Sequence, residues 1–110
     1  MLQGEIWEVY FNPTQGSEQS GGRPAVVVSG NTANQYLQVV IVCPLTTSVK
    51  NYKGNVVLKP NDLNGLKAPS EILTFHIRSI SKKRFSKKIG QISKYDLEQV
   101  KSCLNDILRF

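Results

Sequence analysis

The chain has 110 residues, 40% of them apolar, and a formal net charge of +6. This length predicts a single domain over residues 1–110 with one modest core, and the apolar content excludes a disordered chain. No apolar run is long enough to span a bilayer and the first residues do not form a secretory signal, so we expect a cytoplasmic protein without membrane contact.

Most of the chain consists of short segments rich in β-branched and aromatic residues, which predict strands. Asn12–Arg23 is rich in glycine and small polar residues and predicts a loop, and Pro60–Leu66 predicts a turn or one helical turn. The predicted strands are Gly4–Phe11, Pro24–Ser29, Leu37–Leu45, Asn55–Lys59, Ser70–Ile77 and Lys88–Ile92.

The last segment has a different period. Ser93 followed by Asp96 approximates a capping box and predicts the start of a helix. The apolar residues after it fall on one helical face: Leu97, Val100, Leu104, Ile107 and Leu108. The predicted fold class is therefore mainly β with α additions, a small and strongly curved barrel followed by an amphipathic C-terminal helix.

The two cysteines, Cys43 and Cys103, and the single histidine are too few and too widely spaced for a zinc site. Cys43 lies in an apolar run and Cys103 in the helical pattern, so both are interpreted as small buried hydrophobic residues. The sequence predicts neither a metal nor a cofactor.

Half of the fourteen basic residues lie between Ile72 and Tyr95, and no acidic residue interrupts them. Such a block attracts a polyanion, although a lysine-rich face that only keeps the protein soluble is an equally good interpretation. The residues are Arg78, Lys82, Lys83, Arg84, Lys87, Lys88 and Lys94.

Several strings resemble the motifs of the MazF/PemK toxins, in order and over nearly the whole chain. Residues 4–7 (GEIW), 11–19 (FNPTQGSEQ) and 22–29 (GRPAVVVS) resemble the opening of that family. Residues 42–47 (VCPLTT) resemble its second motif, and residues 77–85 (IRSISKKRF) with Ile89-Gly90 resemble its third.

The resemblance implies an SH3-like barrel of the CcdB/MazF type that forms a homodimer. It also implies a toxin that cleaves single-stranded RNA at short sequences and is blocked by a cognate MazE-like antitoxin. By the same resemblance, Arg23 and Thr46 occupy the positions that the family pattern marks as catalytic.

The third motif departs from the family pattern. Where the family commonly has Leu-Asp-Gln-Ile-Arg, residues 73–78 read LTFHIR, so that Phe75 replaces the acid and His76 the glutamine. The cleavage sequence of relatives therefore does not transfer to this chain.

The chemistry suits metal-free cleavage, in which the 2′-OH of the RNA attacks the adjacent phosphorus. Arg23 would stabilise the charge on the phosphate, and the Thr46 hydroxyl would hold a phosphate oxygen or the 2′-OH. Glu18 and His76 are the candidates for proton transfer, although a solvated loop acid and a structural histidine are the alternatives. In a strand, His76 would share a face with Arg78.

The predicted RNA-binding residues are polar residues of the loop and strand ends together with the basic block: Asn12, Thr14, Gln19, Thr47, Ser48, Arg78, Lys82, Lys83, Arg84, Lys87 and Lys88. Aromatic residues could stack on unpaired bases: Trp7, Tyr10, Phe11, Tyr36 and Tyr52.

Two other functions remain open on the sequence. CcdB-type toxins resemble this barrel and inhibit DNA gyrase without nuclease chemistry. A plain RNA-binding barrel would use the basic block alone.

Overall fold

A computed structural model describes residues 1–11 and 22–109. The predicted loop Asn12–Arg23 therefore lies outside the described residues except at Gly22 and Arg23. The described strands are β1 (Glu5–Val9), β2 (Arg23–Val27), β3 (Val39–Thr46), β4 (Val57–Leu58), β5 (Ser70–Ile72), β6 (Arg78–Ser81) and β7 (Phe85–Gln91). The described α-helices are α1 (Asn31–Tyr36) and α2 (Lys94–Leu108).

The described strands pair antiparallel in the order β4-β5-β3-β2-β1-β7, and β6 also pairs with β3. They form a curled half-barrel followed by the C-terminal helix, which confirms the predicted mainly β fold class. The β1–β7 pairing contains register shifts, which add twist at this end of the sheet.

Each face of the curled sheet carries its own buried cluster. Alternate residues of β3 point to opposite faces, so that Cys43 and Leu45 join one cluster while Val40 and Val42 join the other. The first cluster lies against α2 through Val100. The second includes Trp7, whose ring meets Phe85 edge-on at 6.1 Å.

The structure contradicts the predicted strand Ser70–Ile77. The strand β5 ends at Ile72, and Thr74–His76 form a 3-10 turn before β6 begins. This break lies opposite Pro44 in β3, whose carbonyl accepts a hydrogen bond from the Leu73 amide at 2.8 Å. Because proline has no N–H, β3 offers an acceptor but no donor there, and the ladder is interrupted between β5 and β6.

The sequence pattern did not predict α1, and it placed the final strand at Lys88–Ile92 instead of Phe85–Gln91. The helix α1 is short and polar, and Asn34 is its one buried residue. The Asn34 side chain donates to the Ser29 carbonyl at 2.9 Å and also bonds the Ser29 hydroxyl. The basic residues Lys82–Arg84 form a second 3-10 turn, and β7 begins directly after it.

The C-terminal helix begins as predicted. The Ser93 hydroxyl accepts a hydrogen bond from the Asp96 amide at 3.0 Å, which caps the first turn of α2. Val100 and Cys103 are buried, whereas Leu108 is 77% exposed and does not belong to the packed face. In the part of the chain that the structure describes, no helix is long and apolar enough to cross a membrane.

Candidate functional site

An open cleft of about 420 Å³ lies where β2, β3 and β6 meet. Arg23 shares a face of β2 with Ala25 and Val27, and Arg78 shares a face of β6 with Ile80. These three apolar residues belong to the second buried cluster, so both arginines lie on the face of the sheet that carries it. The cleft is lined by Phe11, Arg23, Pro44, Phe75, His76, Ile77 and Arg78.

Arg23 is the first residue of β2, opposite Val9 of β1, and its side chain is exposed. The residue before it is held very close to β1, since a Cβ atom on Gly22 would lie 2.2 Å from the Glu8 Cγ atom. Glycine at this position therefore lets the chain enter β2 against Glu8. The rigid strand then fixes the backbone of Arg23 at the edge of the cleft.

Two arginines contact Phe11, which also lines the cleft. The Arg78 guanidinium carbon lies 5.2 Å from the centroid of the Phe11 ring, which is a cation–π contact. The Arg84 Nη1 atom donates to the Phe11 carbonyl at 3.1 Å. Arg84 thus anchors the backbone, while Arg78 places a positive charge in the cleft beside Arg23.

The 3-10 turn brings His76 into the same cleft. The His76 amide donates to the Leu73 carbonyl at 3.0 Å and the Ile77 amide to the Thr74 carbonyl at 3.2 Å, so the turn has a defined shape. The predicted strand placement of His76 is wrong. Its predicted proximity to Arg78 holds for a different reason, since the turn and the start of β6 line one cleft.

Thr46 lies next to this cleft but does not line it. It shares a face of β3 with Pro44, and continuing the β2–β3 register from Ala25–Pro44 would place it opposite Arg23. Its Oγ1 atom accepts a hydrogen bond from the Ser48 amide at 3.1 Å. The hydroxyl proton is therefore free to point elsewhere, so a structural role and a role toward substrate are compatible.

The residues of the predicted RNA-binding surface do not all line the same cleft. Thr47, Lys87 and Lys88 line a separate cleft of about 500 Å³, which Glu8 also lines. The Lys88 ammonium lies 3.1 Å from a Glu5 carboxylate oxygen. The Lys83 amide is capped by the Ser81 hydroxyl at 3.3 Å in the second 3-10 turn.

Glu5, the partner of Lys88, is buried, with 8% of its surface exposed. Burial raises the pKa of its carboxyl, but hydrogen bonds from the Leu2 amide at 3.0 Å and the Trp7 indole at 2.9 Å act in the opposite direction. The ion pair with Lys88 adds to them, and the pKa of Glu5 lies below its usual value. Glu5 therefore stays ionised and holds Lys88 against β1.

The cysteines are buried and free, as the sequence predicts. Burial, with a smaller effect of Cys103, raises the pKa of the Cys43 thiol to about 12, so it has no nucleophilic form near neutrality. Among the described residues, no group of three metal-ligating side chains comes together. Asn12, Thr14, Glu18 and Gln19 lie outside the described residues.

The sequence did not single out Pro44 or Ile77 as parts of the site. Pro44 stands inside the second motif, where its missing N–H is a local signal that pairing on one edge of β3 must stop. Ile77 carries no such signal, because its place depends on the turn before it.

Comparison with known proteins defines the class. The chain matches the family described as PemK-like, MazF-like toxin of type II toxin-antitoxin system over residues 2–108. It belongs to this family.

Individual relatives agree with this assignment. The chain is 35% identical over 109 residues to Endoribonuclease MazF9 of Mycobacterium tuberculosis, covering 94% of this chain and 92% of the relative. It is similar to the crystal structure of MazF (Form-I) from Deinococcus radiodurans, with 29% identity, a TM-score of 0.79 and coverage of 98% and 96%. It is also similar to MazE-MazF (Form-II) from the same organism, with 25% identity, a TM-score of 0.75 and coverage of 98% and 94%.

Proposed function

We propose that this protein is the toxin of a type II toxin–antitoxin system and cleaves single-stranded messenger RNA as a sequence-selective, metal-independent endoribonuclease. The observation that carries the proposal is the cleft in which Arg23, His76 and Arg78 converge. Two fixed positive charges and an imidazole suit the stabilisation and proton transfer that phosphodiester cleavage needs. The 35% identical relative is itself named an endoribonuclease.

The reaction uses a nucleophile that the substrate supplies. The 2′-OH loses its proton and attacks the adjacent phosphorus while the bond to the 5′-oxygen breaks, which leaves a 2′,3′-cyclic phosphate and a 5′-OH end. No water has to be activated in this step, so a metal ion is not needed to generate the nucleophile. Because DNA has no 2′-OH, it would not be cleaved.

Each candidate catalytic residue has a role that follows from its chemistry. The fork of donors on Arg23 binds the phosphate oxygens and stabilises the extra charge of the transition state. His76 transfers a proton at the 2′-OH or the leaving 5′-oxygen. Thr46 donates its free hydroxyl proton to the phosphate or the 2′-OH. Glu18 remains a second candidate for proton transfer.

The decisive experiment is incubation of the purified protein with a long unstructured RNA in EDTA, followed by sequencing and chemical typing of the new ends. We expect cuts at a recurrent short sequence with cyclic phosphate and 5′-OH ends. Arg23→Ala should lower the cleavage rate roughly 10²–10³-fold, as loss of one preorganised charge-stabilising donor does.

The matched control is Arg109→Ala, which removes an exposed arginine after the end of α2. It should cleave like the wild type. Both variants should retain the wild-type circular dichroism spectrum, because neither side chain belongs to a buried cluster. Intact RNA with folded wild-type protein would refute the nuclease proposal and favour a toxin that only binds its target.

The proposed partners follow from the same assignment. One of the similar structures from Deinococcus radiodurans is that of MazE-MazF. We propose that a MazE-like antitoxin likewise binds this protein and blocks its RNA site. We also propose that the toxin is a cytoplasmic homodimer. Light scattering of the isolated toxin should give twice the mass of 12.3 kDa, and a monomeric mass would contradict the dimer.

A further inference from the structure

A third cleft, of about 460 Å³, lies beside the candidate site. Phe75 and His76 line both clefts, so the 3-10 turn is their shared wall. Tyr52 and Lys53 line the opposite side, and Ile107 of α2 contributes apolar surface. Its volume lies within the range of about 300–1,000 Å³ typical of sites that enclose small organic groups.

Two large aromatic side chains are exposed in this cleft. Tyr52 is 60% and Phe75 80% accessible to solvent. Neither side chain contributes to a buried cluster, although hydrogen bonds fix the backbone at Tyr52 and the turn that contains Phe75. Exposed aromatic rings on a fixed backbone are typical of surfaces that bind a flat ligand, because little conformational entropy is lost on binding.

Glu71 fixes the Tyr52 side of the cleft. Its buried carboxylate accepts hydrogen bonds from the amides of Lys50 and Asn51 at 2.8 Å and of Tyr52 at 2.9 Å. Asn51 has a φ of +57°, which costs energy for a residue other than glycine. The carboxylate therefore fixes the loop with Asn51 in this left-handed conformation, which asparagine adopts more readily than most residues other than glycine.

The same network reaches the Phe75 side. The Asn55 amide nitrogen donates to Glu71 at 2.8 Å, and the Thr74 hydroxyl donates to the Asn55 side-chain oxygen at 2.7 Å. The Thr74 Oγ1 atom also lies 3.2 Å from the Cys103 Sγ atom of α2. One set of hydrogen bonds thus links the backbone at Tyr52 to Thr74, the residue before Phe75.

We propose that the Tyr52–Phe75 cleft binds one unpaired nucleobase of the RNA strand whose cleaved phosphate lies at Arg23. The base stacks on the two rings, and Lys53 neutralises the phosphate beside it. The proposal rests on the proposed function. Stacking on aromatic faces accepts any base, so this subsite adds affinity outside the cleaved bond.

The position of the third cleft next to the candidate site and the charge of its lining support a nucleobase of RNA as the occupant. A strand that runs from the arginines into the third cleft passes Phe75 and His76, since they line both clefts. No acidic side chain lines either of these two clefts among the described residues, and a lysine stands at the far side. A polyanion with flat unpaired bases fits both features.

The test uses the RNA sequence that the wild-type protein cuts, made as an oligonucleotide with a 2′-deoxy sugar at the cut position so that it binds without being cleaved. Tyr52→Ala and Phe75→Ala should each raise the Kd about tenfold, the loss expected for one base–aromatic stack. Tyr52→Phe should retain wild-type affinity because it keeps the ring. The control Tyr95→Ala removes another exposed tyrosine, in the first turn of α2, and should change nothing.

A second series replaces each base in turn by an abasic ribose. In the wild type, one position outside the cut dinucleotide should lose about tenfold in affinity. In Tyr52→Ala the same replacement should cost less affinity than in the wild type, since one of the two stacks is already absent, and in the double variant Tyr52→Ala/Phe75→Ala it should have no further effect. On cleavable RNA, Tyr52→Ala should raise KM and leave the cleavage rate at saturating RNA unchanged.

The outcomes separate this subsite from the nuclease itself. If wild-type protein cleaves RNA but Tyr52→Ala and Phe75→Ala bind it as tightly as Tyr95→Ala, the subsite proposal is wrong and the proposed function stands. Additive losses from Tyr52→Ala and every abasic position would also overturn it. If wild-type protein cleaves no RNA, the proposed function fails first.

Discussion

At the scale of single residues, the buried carboxylate of Glu71 decides the shape of the loop before β4. Burial raises the pKa of this carboxyl, but the hydrogen bonds from Asn55 and from the amides of Asn51, Lys50 and Tyr52 outweigh that effect. The pKa of Glu71 therefore lies below its usual value of 4.5. Among the described residues no lysine or arginine pairs with Glu71, and the four hydrogen-bond donors keep its charge instead.

We predict that Glu71→Gln lowers the free energy of unfolding by roughly 1–3 kcal/mol, because the new amide group would face two donors and leave them without an acceptor. Urea denaturation at pH 7 measures this change. The control Glu98→Gln, at an exposed residue of α2 whose carboxylate lies 3.6 Å from the Lys101 ammonium, should change stability by no more than about 1 kcal/mol.

The pH dependence follows from the direction of the shift. A carboxyl whose pKa is lower in the folded state stabilises the fold fully above its unfolded pKa, and this contribution is lost as the pH falls through 4.5 toward the folded value. Wild-type stability should therefore decrease below this pH more steeply than that of Glu71→Gln. Parallel curves for the two proteins would contradict the assigned role of the carboxylate.

At the scale of elements, the sequence predicts what depends on local pattern. The β-branched residues of β2 and β3 and the Ser93 cap of α2 are local features, and the elements that they predict are confirmed. The turn at Thr74–His76 is not local, since it depends on the missing N–H of Pro44 on the neighbouring strand. The short helix α1 has no apolar face and is held by the Asn34–Ser29 hydrogen bonds. Its sequence therefore lacks the hydrophobic periodicity from which a helix can be predicted.

The contact between β7 and the turn before β5 depends on two glycines. A Cβ atom on Gly90 would lie 2.4 Å from the Asn64 carbonyl oxygen, and one on Gly65 would lie 2.3 Å from the Ile89 carbonyl oxygen. The Gln91 amide donates to the Leu63 carbonyl at 3.1 Å across the same contact. The two backbones can approach only because neither residue has a side chain.

We predict that Gly90→Ala destabilises the protein by roughly 1–3 kcal/mol, since backbone atoms must move to accept the methyl group. The matched control is Gly30→Ala, where an added Cβ would meet nothing within 4 Å. Thermal unfolding of both variants measures the difference. Equal melting temperatures would mean that the turn does not pack against β7 in this way.

At the scale of the whole molecule, the basic block that looks continuous in the sequence has several roles. Arg78 lines the candidate site, Arg84 anchors Phe11, and Lys88 is paired with Glu5. The sequence locates these charges, and the resemblance marks Arg23 and Thr46. The pairing with Glu5 depends on β1 meeting β7 and could not be predicted from spacing alone.

This division predicts how salt weakens RNA binding. Each cation that contacts a phosphate of single-stranded RNA contributes about 0.7 to the slope of log K against log salt concentration. Lys83→Gln should lower the slope by about this amount, because Lys83 is exposed in the same 3-10 turn as Arg84. Lys88→Gln should lower it less, because Glu5 already neutralises that ammonium.

The control for this measurement is Lys101→Gln on α2, whose ammonium lies 3.6 Å from Glu98 and which should leave the slope unchanged. All variants should keep the wild-type circular dichroism spectrum, since none of these lysines belongs to a buried cluster. Equal reductions for Lys83→Gln and Lys88→Gln would show that the Glu5 pair opens when RNA binds. The basic block would then act as one surface, as its sequence suggests.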